Sequence, residues 1–171
     1  IPTILYHWRA AAGSTAFDQD AKSYAATAAQ RALAEHLARS KVRGRVEPAP
    51  ETHFHRVRYE LPEEKPLVSI IIPTRDQYEL LRQCVESVHK RTQYLNWELI
   101  VVDNQSTDET ATRYLVQLAN RERVTVLRYD QPFNYSAINN FAVRHARGEV
   151  LCLLNNDTQV ITRDWIEEML G

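Results

Sequence analysis

Glycine is scarce in this chain, with only four among 171 residues. No glycine-rich dinucleotide fingerprint and no phosphate-binding loop with Lys-Ser/Thr follows any apolar run, and there is no Gly-x-Ser-x-Gly nucleophile elbow. These absences exclude three common ways of binding a cofactor or activating a serine. A phosphate ligand, if bound, would have to be held by side chains and a cation.

Charge, cysteine and long apolar runs are equally limited. Lys and Arg number 21 against 22 acids, a formal net charge of -1, which gives no attraction for nucleic acid or an anionic membrane. No apolar run approaches the ~20 residues that span a bilayer. His53 and His55 have no cysteine nearby, so a zinc site is not expected. Cys84 and Cys152 lie in apolar stretches, which favours reduced core cysteines over a disulfide. Reduced cysteines in turn favour a cytoplasmic location.

Three zones divide the chain. Residues 1–44 form a helical extension, in which an Ala-rich run predicts a helix from about Phe17 to Ser40. Residues 45–66 carry four of the seven prolines and read as a linker with one half-buried strand, where Val57, Tyr59 and Leu61 alternate with charged residues. Residues 67–171 form the main domain. Because the chain starts at Ile1 without an initiator methionine, we interpret it as a piece of a longer protein.

The main domain alternates strands with helices, which predicts an α/β fold with a largely parallel sheet. Strands are expected at Leu67–Pro73, Trp97–Val102, Val124–Arg128 and Val150–Leu154, and the first two are expected to be buried. Four helices are expected between and after these strands. The first contains Leu80–Val88, and the second is capped by Ser106, with Glu109 at its third position, and buries Ala111, Tyr114, Leu115 and Leu118. The third runs over Asn134–Arg147 and is stopped by Gly148, and the last is capped by Thr162.

Polar residues follow three of these strands, and parallel sheets bind ligands beyond the carboxyl ends of their strands. Asp76, Asp103 and Asp157 are the carboxylates that converge there. Each has an ordinary alternative: Asp76 caps the helix that begins near Gln77, Asp103 belongs to a polar turn, and Asp157 is loop composition. A carboxylate at this edge can bind a ribose or base, or hold a divalent cation beside a diphosphate.

Three segments, VSIIIPTRD, WELIVVDNQSTDET and PFNYSAINNFAVRHARGEVLCLLNNDTQV, carry a family resemblance when taken in order. They resemble the first, nucleotide-sugar-binding half of the family 2 glycosyltransferases, over roughly 105 residues. The resemblance implies the GT-A fold, a Rossmann-like sheet flanked by helices, here incomplete and preceded by the helical extension. The extension itself resembles segments that join tandem glycosyltransferase domains in bacterial polysaccharide-assembly enzymes. The alternative is an extension that merely packs on this domain.

By resemblance, the nucleotide-binding positions are Pro73, Thr74, Arg75, Asp76, Asp103, Asn134, Asn140, Asn155 and Asn156. Asn155-Asn156-Asp157 occupies the position of the family's DXD motif, whose last Asp holds the Mg2+ or Mn2+ that bridges the donor diphosphate. Asp157 is therefore the expected metal ligand. Asn155 departs from the more usual Asp, and Asn134 stands where many members have Gly.

The resemblance implies a parent enzyme that transfers a sugar, with inversion, from a nucleotide-diphospho-sugar to a saccharide or lipid-linked acceptor in O-antigen-like, rhamnosyltransferase-type polysaccharide synthesis. It would work in the cytoplasm, at the inner face of the membrane. The catalytic base is expected beyond Gly171, so the fragment should bind donor but catalyse little. Self-association through the truncated face is a further expectation. The alternatives are a non-catalytic nucleotide-sugar-binding or docking module and a nucleotidyltransferase, although the latter should carry a basic Gly-rich loop where this chain has PTRDQ.

Overall fold

The computed structural model describes residues 24–49 and 54–171. The chain divides into two compact units, one reaching Glu60 and the other running from Leu61 to Leu170. The first unit holds α1 (Tyr24–Arg39), β1 (Gly44–Pro48) and β2 (His55–Tyr59), and its two strands pair antiparallel. The helix predicted from Phe17 is thus present from Tyr24 onward. Its first residues, and the apolar segment near the start of the chain, lie outside the described residues.

The linker zone contains two strands where the sequence predicted one. The prolines indicated bends and no long regular element, and β1 is indeed short, with Pro48 as its last residue. Charged side chains interact on this hairpin, where the Glu47 carboxylate accepts hydrogen bonds from the guanidinium groups of both Arg45 and Arg58. The Arg58–Glu47 pair crosses between the strands and the Arg45–Glu47 pair lies within β1, so charged side chains here occupy positions that a strand pattern in the sequence would fill with apolar residues.

The second unit is the predicted α/β domain. Its elements are β3 (Val68–Thr74), α2 (Tyr78–Arg91), β4 (Trp97–Asp103), α3 (Glu109–Leu118), β5 (Val124–Arg128), α4 (Tyr135–Val143), β6 (Val150–Leu153) and α5 (Trp165–Leu170). The four strands lie in the order β5-β4-β3-β6, and every neighbouring pair is parallel. The expected fold class is confirmed, with β3 and β4 buried along nearly their whole length.

Apolar side chains cover both faces of this sheet. On one face Ile70 and Val101 pack against α2, α3 and α5, while on the other Ile71 and Val102 pack against Ile138 of α4. The four residues predicted to be the buried face of α3 are all buried. In the described part of the chain, no helix has the length and apolar character needed to cross a membrane. Both cysteines are free.

Strand β6 is an edge of the sheet and leaves part of one face uncovered. Leu151 and Leu153 lie in register with Ser69 and Ile71, on the side where α4 packs, but each is more than 40% exposed. Whether this apolar edge mediates self-association stays a prediction.

Three predicted helix ends are wrong. Asp108, not Ser106, caps α3, because its carboxylate accepts the Ala111 N–H at 2.7 Å. Helix α4 ends at Val143 and α5 begins at Trp165, so neither Arg147 nor Thr162 marks a helix end.

Gly148 has a role other than ending α4, which stops five residues earlier at Val143. A Cβ atom there would lie 2.6 Å from the Ser69 nitrogen and 2.7 Å from the Leu67 carbonyl oxygen. Its own N–H donates to Ser69 Oγ at 2.9 Å. Gly148 therefore serves the close approach of the chain to β3, instead of stopping a helix.

Glu98, at the amino-terminal end of β4, ties the connection between α4 and β6 to the sheet. Its side chain is buried and accepts the Ser69 hydroxyl and the Arg147 backbone N–H, both at 2.7 Å, and the Arg147 guanidinium at 2.7–2.8 Å. Burial alone would raise the pKa of Glu98, but these hydrogen bonds outweigh it and hold that pKa below the ordinary value of 4.5.

We expect Glu98→Gln to lower the free energy of unfolding by about 1–3 kcal/mol, because the amide cannot accept all four donors. Since the folded pKa of Glu98 is depressed, its stabilisation is present above pH 4.5 and is lost as pH falls through the lower folded value. Urea unfolding at pH 7 and pH 3 measures both effects. The exposed Glu122→Gln is the matched control, and equal stability of the two variants at pH 7 would refute the role of Glu98.

Candidate functional site

The carboxyl ends of β3, β4 and β6 meet at one edge of the sheet. Strand β3 lies between the other two strands, and Thr74 is its last residue. Thr74 lies opposite Asp103 in the register of β3 and β4, and its carbonyl accepts the Asn104 N–H at 2.8 Å. On the other side, Asn156 Nδ2 donates to Thr74 Oγ1 at 3.1 Å. Parallel pairing thus brings the three predicted loops together through direct hydrogen bonds.

A cavity of about 190 Å3 lies at this edge. Five of its lining residues are predicted site residues: Pro73, Thr74, Arg75, Asn155 and Asn156. Four others were missed: Asn104, Phe133, Tyr135 and Ile138. Phe133 and Tyr135 are aromatic yet exposed, and aromatic side chains within a polar loop are the signal that could have identified them. The cavity combines amide side chains with aromatic surface, a combination suited to a flat polar ring such as a nucleobase.

Asn134 and Asn140 are not among the cavity residues. Asn134 caps α4, and its Oδ1 accepts the Ala137 N–H at 2.9 Å. Asn140 is exposed on α4, and its carbonyl accepts a bond from Arg144. Asn134 therefore stabilises the start of α4. The glycine that many family members have at this position gave no indication of this cap.

Asp103 is buried, and both of its carboxylate oxygens already have partners. Oδ1 accepts the Ser106 N–H at 2.9 Å, and Oδ2 pairs with the guanidinium of Arg128. Arg128 also binds Asp130 and is about half exposed. A ligand at this end of β4 would therefore meet the guanidinium, or would have to displace it to reach the Asp103 carboxylate.

Asp76 does not cap α2, the helix considered in the sequence, but binds the chain just before α3. Helix α2 begins after Gln77, which makes no side-chain cap, whereas Asp76 Oδ1 accepts the N–H groups of Thr107 and Asp108 at 2.7 and 2.8 Å. Its own N–H donates to Ser106 Oγ at 2.7 Å. The backbone N–H of Asp108, followed by that of Thr107, lowers the pKa of the Asp76 carboxyl. The alternative interpretation of Asp76 as a cap on α2 is wrong, and Asp76 instead stabilises the approach to α3.

Asp157 is exposed, in a turn closed by a Thr158 N–H to Asn155 carbonyl bond of 3.2 Å. Its carboxylate has no hydrogen bond or ion pair within residues 24–49 and 54–171, and those residues contain no group of three His, Cys, Asp or Glu that could hold a metal. An available carboxylate is a suitable ligand for a hard cation. A single carboxylate fits a cation whose other ligands come from a bound diphosphate and water. It does not fit a cation coordinated by protein side chains alone.

We expect Asp76→Ala to lower the thermal midpoint, because two N–H groups ahead of α3 lose their acceptor, while Asp76→Asn, which keeps an amide oxygen, should lose less. The depressed pKa of Asp76 predicts that its stabilisation is present above pH 3.8 and disappears as pH falls through the lower folded value. Thermal melts of both variants between pH 2.5 and 7 test this. An alanine variant as stable as the parent at pH 7 would contradict the role of Asp76 in holding the chain before α3.

A known protein family matches most of the second unit, and two relatives match nearly the whole chain. The family model described as glycosyl transferase family 2 matches residues 69–171. The uncharacterized protein y4gI of Sinorhizobium fredii is 48% identical over 100% of this chain and 19% of its own length. The O-antigen biosynthesis protein RfbC of Myxococcus xanthus is 40% identical over 98% of this chain and 13% of its own length. The chain therefore spans less than a fifth of either relative.

Solved structures share the fold. The mannosyltransferase PcManGT from Pyrobaculum calidifontis, in complex with GDP-Man and Mn2+, has a TM-score of 0.55 and 23% identity, over 85% of this chain and 40% of its own. TarS 1-349 of S. aureus in complex with UDP has a TM-score of 0.51 and 20% identity, over 60% of this chain and 31% of its own. At this identity the likeness concerns the fold alone.

Proposed function

The chain belongs to glycosyl transferase family 2, and on this basis we propose that residues 61–170 bind a nucleotide-diphospho-sugar donor. In the parent protein the bound sugar is transferred to a saccharide or lipid-linked acceptor during cell-surface polysaccharide synthesis. The convergence of the β3, β4 and β6 ends around the cavity beside Thr74 is the observation that carries this proposal. A relative named for O-antigen biosynthesis, RfbC of Myxococcus xanthus, supports the choice of pathway.

The proposed binding mode places the nucleoside in the cavity and the diphosphate toward Asp157. Phe133 and Tyr135 offer ring faces to the base. Arg75 is exposed at the end of β3 and offers a positive charge to the diphosphate. A divalent cation, when bound, would neutralise the charge that develops on the departing diphosphate. Asp157 would be its protein ligand, with Mg2+ and Mn2+ as the candidates.

The acceptor hydroxyl also needs a base. Asp76 and Asp103 are occupied by hydrogen bonds to Thr107, Asp108, Ser106 and Arg128, so neither is suited to that task. We propose that the base lies outside the described residues and that this chain alone binds donor without turning it over. The reaction is placed at the cytoplasmic face of the membrane, in keeping with two free cysteines.

Calorimetry with UDP-, dTDP- and GDP-sugars, with and without Mn2+, tests the proposal. At least one donor should bind more tightly in Mn2+, and Asp157→Asn should remove most of that gain, about tenfold or more. Glu149→Gln is the matched control, since it neutralises an exposed carboxylate at the opposite end of β6. No binding of any donor would overturn the proposed function, and a cation effect that survives in Asp157→Asn would overturn the metal assignment alone.

A non-catalytic nucleotide-sugar-binding module is the second candidate. The uncharged Asn155, together with the lack of a three-ligand metal cluster among the described residues, favours it. This module would bind donor with equal affinity in Mn2+ and in a chelator, so the same titrations separate the two functions.

A further inference from the structure

Helix α2 is hydrogen-bonded along one side to the chain that follows β6. Six contacts join residues 83–93 to residues 155–165: Gln83 to Gln159, Cys84 to the Asn155 carbonyl, Ser87 to the Val160 N–H, Arg91 to the Ile161 carbonyl, the Gln93 N–H to the Arg163 carbonyl, and Thr92 to the Trp165 indole. We call these contacts the α2 ladder. The chain between β6 and α5 is therefore held at several points by α2 and by the two residues that follow it, although this chain contains no helix or strand.

Ser87 is the buried contact of the α2 ladder. Its hydroxyl accepts the Val160 N–H at 2.9 Å and donates to the Cys84 carbonyl at 2.8 Å, so both capacities are used inside the core. Ser87 and Val160 are each 6% exposed. Without the hydroxyl, the Val160 N–H would be buried without a partner, which costs more than losing a bond at the surface.

Cys84, one turn before Ser87, holds the other end of the same loop. Its thiol donates to the Asn155 carbonyl, with the sulfur 3.5 Å from the oxygen. Burial raises the pKa of Cys84 to about 11, so the thiol keeps its proton at neutral pH and remains a donor. Asn155 and Val160 are thereby fixed on either side of Asp157.

The opposite side of this turn is fixed to β3. Asn156 Nδ2 binds Thr74 Oγ1, and α2 itself starts a few residues after Thr74. The loops after β3 and β6 are therefore joined twice, once directly and once through α2. A loop held at both ends presents an exposed carboxylate between them in a restricted set of positions.

We propose that Ser87 is a positioning residue for Asp157, holding the loop at Val160 so that the carboxylate meets the cation of the bound donor. This inference rests on the proposed function, since it needs a donor and a cation at Asp157. Ser87 touches neither, and it acts through the backbone of residues 155–160.

Ser87→Ala tests the proposal, with Gln83→Ala as the control because Gln83 is an exposed member of the same ladder. The donor that binds the parent chain best is titrated in Mn2+ and in a chelator. Ser87→Ala should weaken binding about tenfold in Mn2+ and much less in the chelator, because the loss acts through the cation. Amide hydrogen exchange at Val160 should also accelerate, whereas Gln83→Ala should change neither quantity.

Ser87→Cys is the second variant if the alanine variant fails to fold. It keeps a hydrogen-bonding group at this position and weakens the bond to Val160, so the same selective loss of affinity in Mn2+ is expected, but smaller than in Ser87→Ala. Equal affinity of parent and Ser87 variants in Mn2+, or equal losses with and without the cation, would overturn this inference while leaving the proposed function intact. A parent chain that binds no donor would overturn the proposed function itself, and with it the role of Ser87.

Discussion

The parallel register of β3 with its two neighbours is the constraint on which the rest of the second unit depends. Pairing over seven residues sets Thr74 beside Asp103, and pairing on the other edge brings β6 to its end near the same point. Parallel strands point all their carboxyl ends one way, so the polar residues that follow them must share an edge. Apolar residues on both faces of β3 and β4 hold that register in place, because a one-residue slip would exchange the side chains between the two packed faces and separate Ser69 from Glu98.

Strand β4 carries a buried carboxylate at each end, and the two anchor different connections. Glu98 holds the chain between α4 and β6 through Arg147, and Asp103 holds the turn before α3 together with Arg128 at the end of β5. Each buried charge is stabilised by an arginine and a backbone N–H, as a carboxylate removed from water requires. Asp103 is the anchor at the cavity end of β4, next to the lining residue Asn104, whereas Glu98 lies at the opposite end of the strand.

Apolar periodicity was enough to predict the strands and helices of the second unit. The capping and stop residues in the sequence did not predict where its helices begin and end. The strands and the buried face of α3 follow from side-chain patterns that tertiary contacts reinforce. The caps failed because residues distant in sequence compete for them: Ser106 accepts from Asp76, which leaves Asp108 to cap α3. Gly148 resembles a helix stop in sequence, but its lack of a side chain serves the contact with Ser69.

The candidate site was predictable to a similar degree. Motif order located Thr74, Asn156 and Asp157 at one edge, because strand ends in a parallel sheet are a property of topology. Asn104, Phe133 and Tyr135 could not be placed in that way, since their contribution depends on how the loop before α4 folds over the edge. The engagement of Asp103 by Arg128 likewise depends on β5 lying beside β4, a strand order that no single motif contains.

Paramagnetic broadening by Mn2+ tests most directly the claim that these strand ends form one nucleotide and cation site. In 15N-labelled chain with UDP or GDP present, trace Mn2+ should broaden the amide signals of residues 155–158 and of Thr74 and Asn104, with little effect without nucleotide. The account would be contradicted if broadening centred instead on the acidic groove lined by Asp76, Glu79 and Asp108, or if nucleotide made no difference to it.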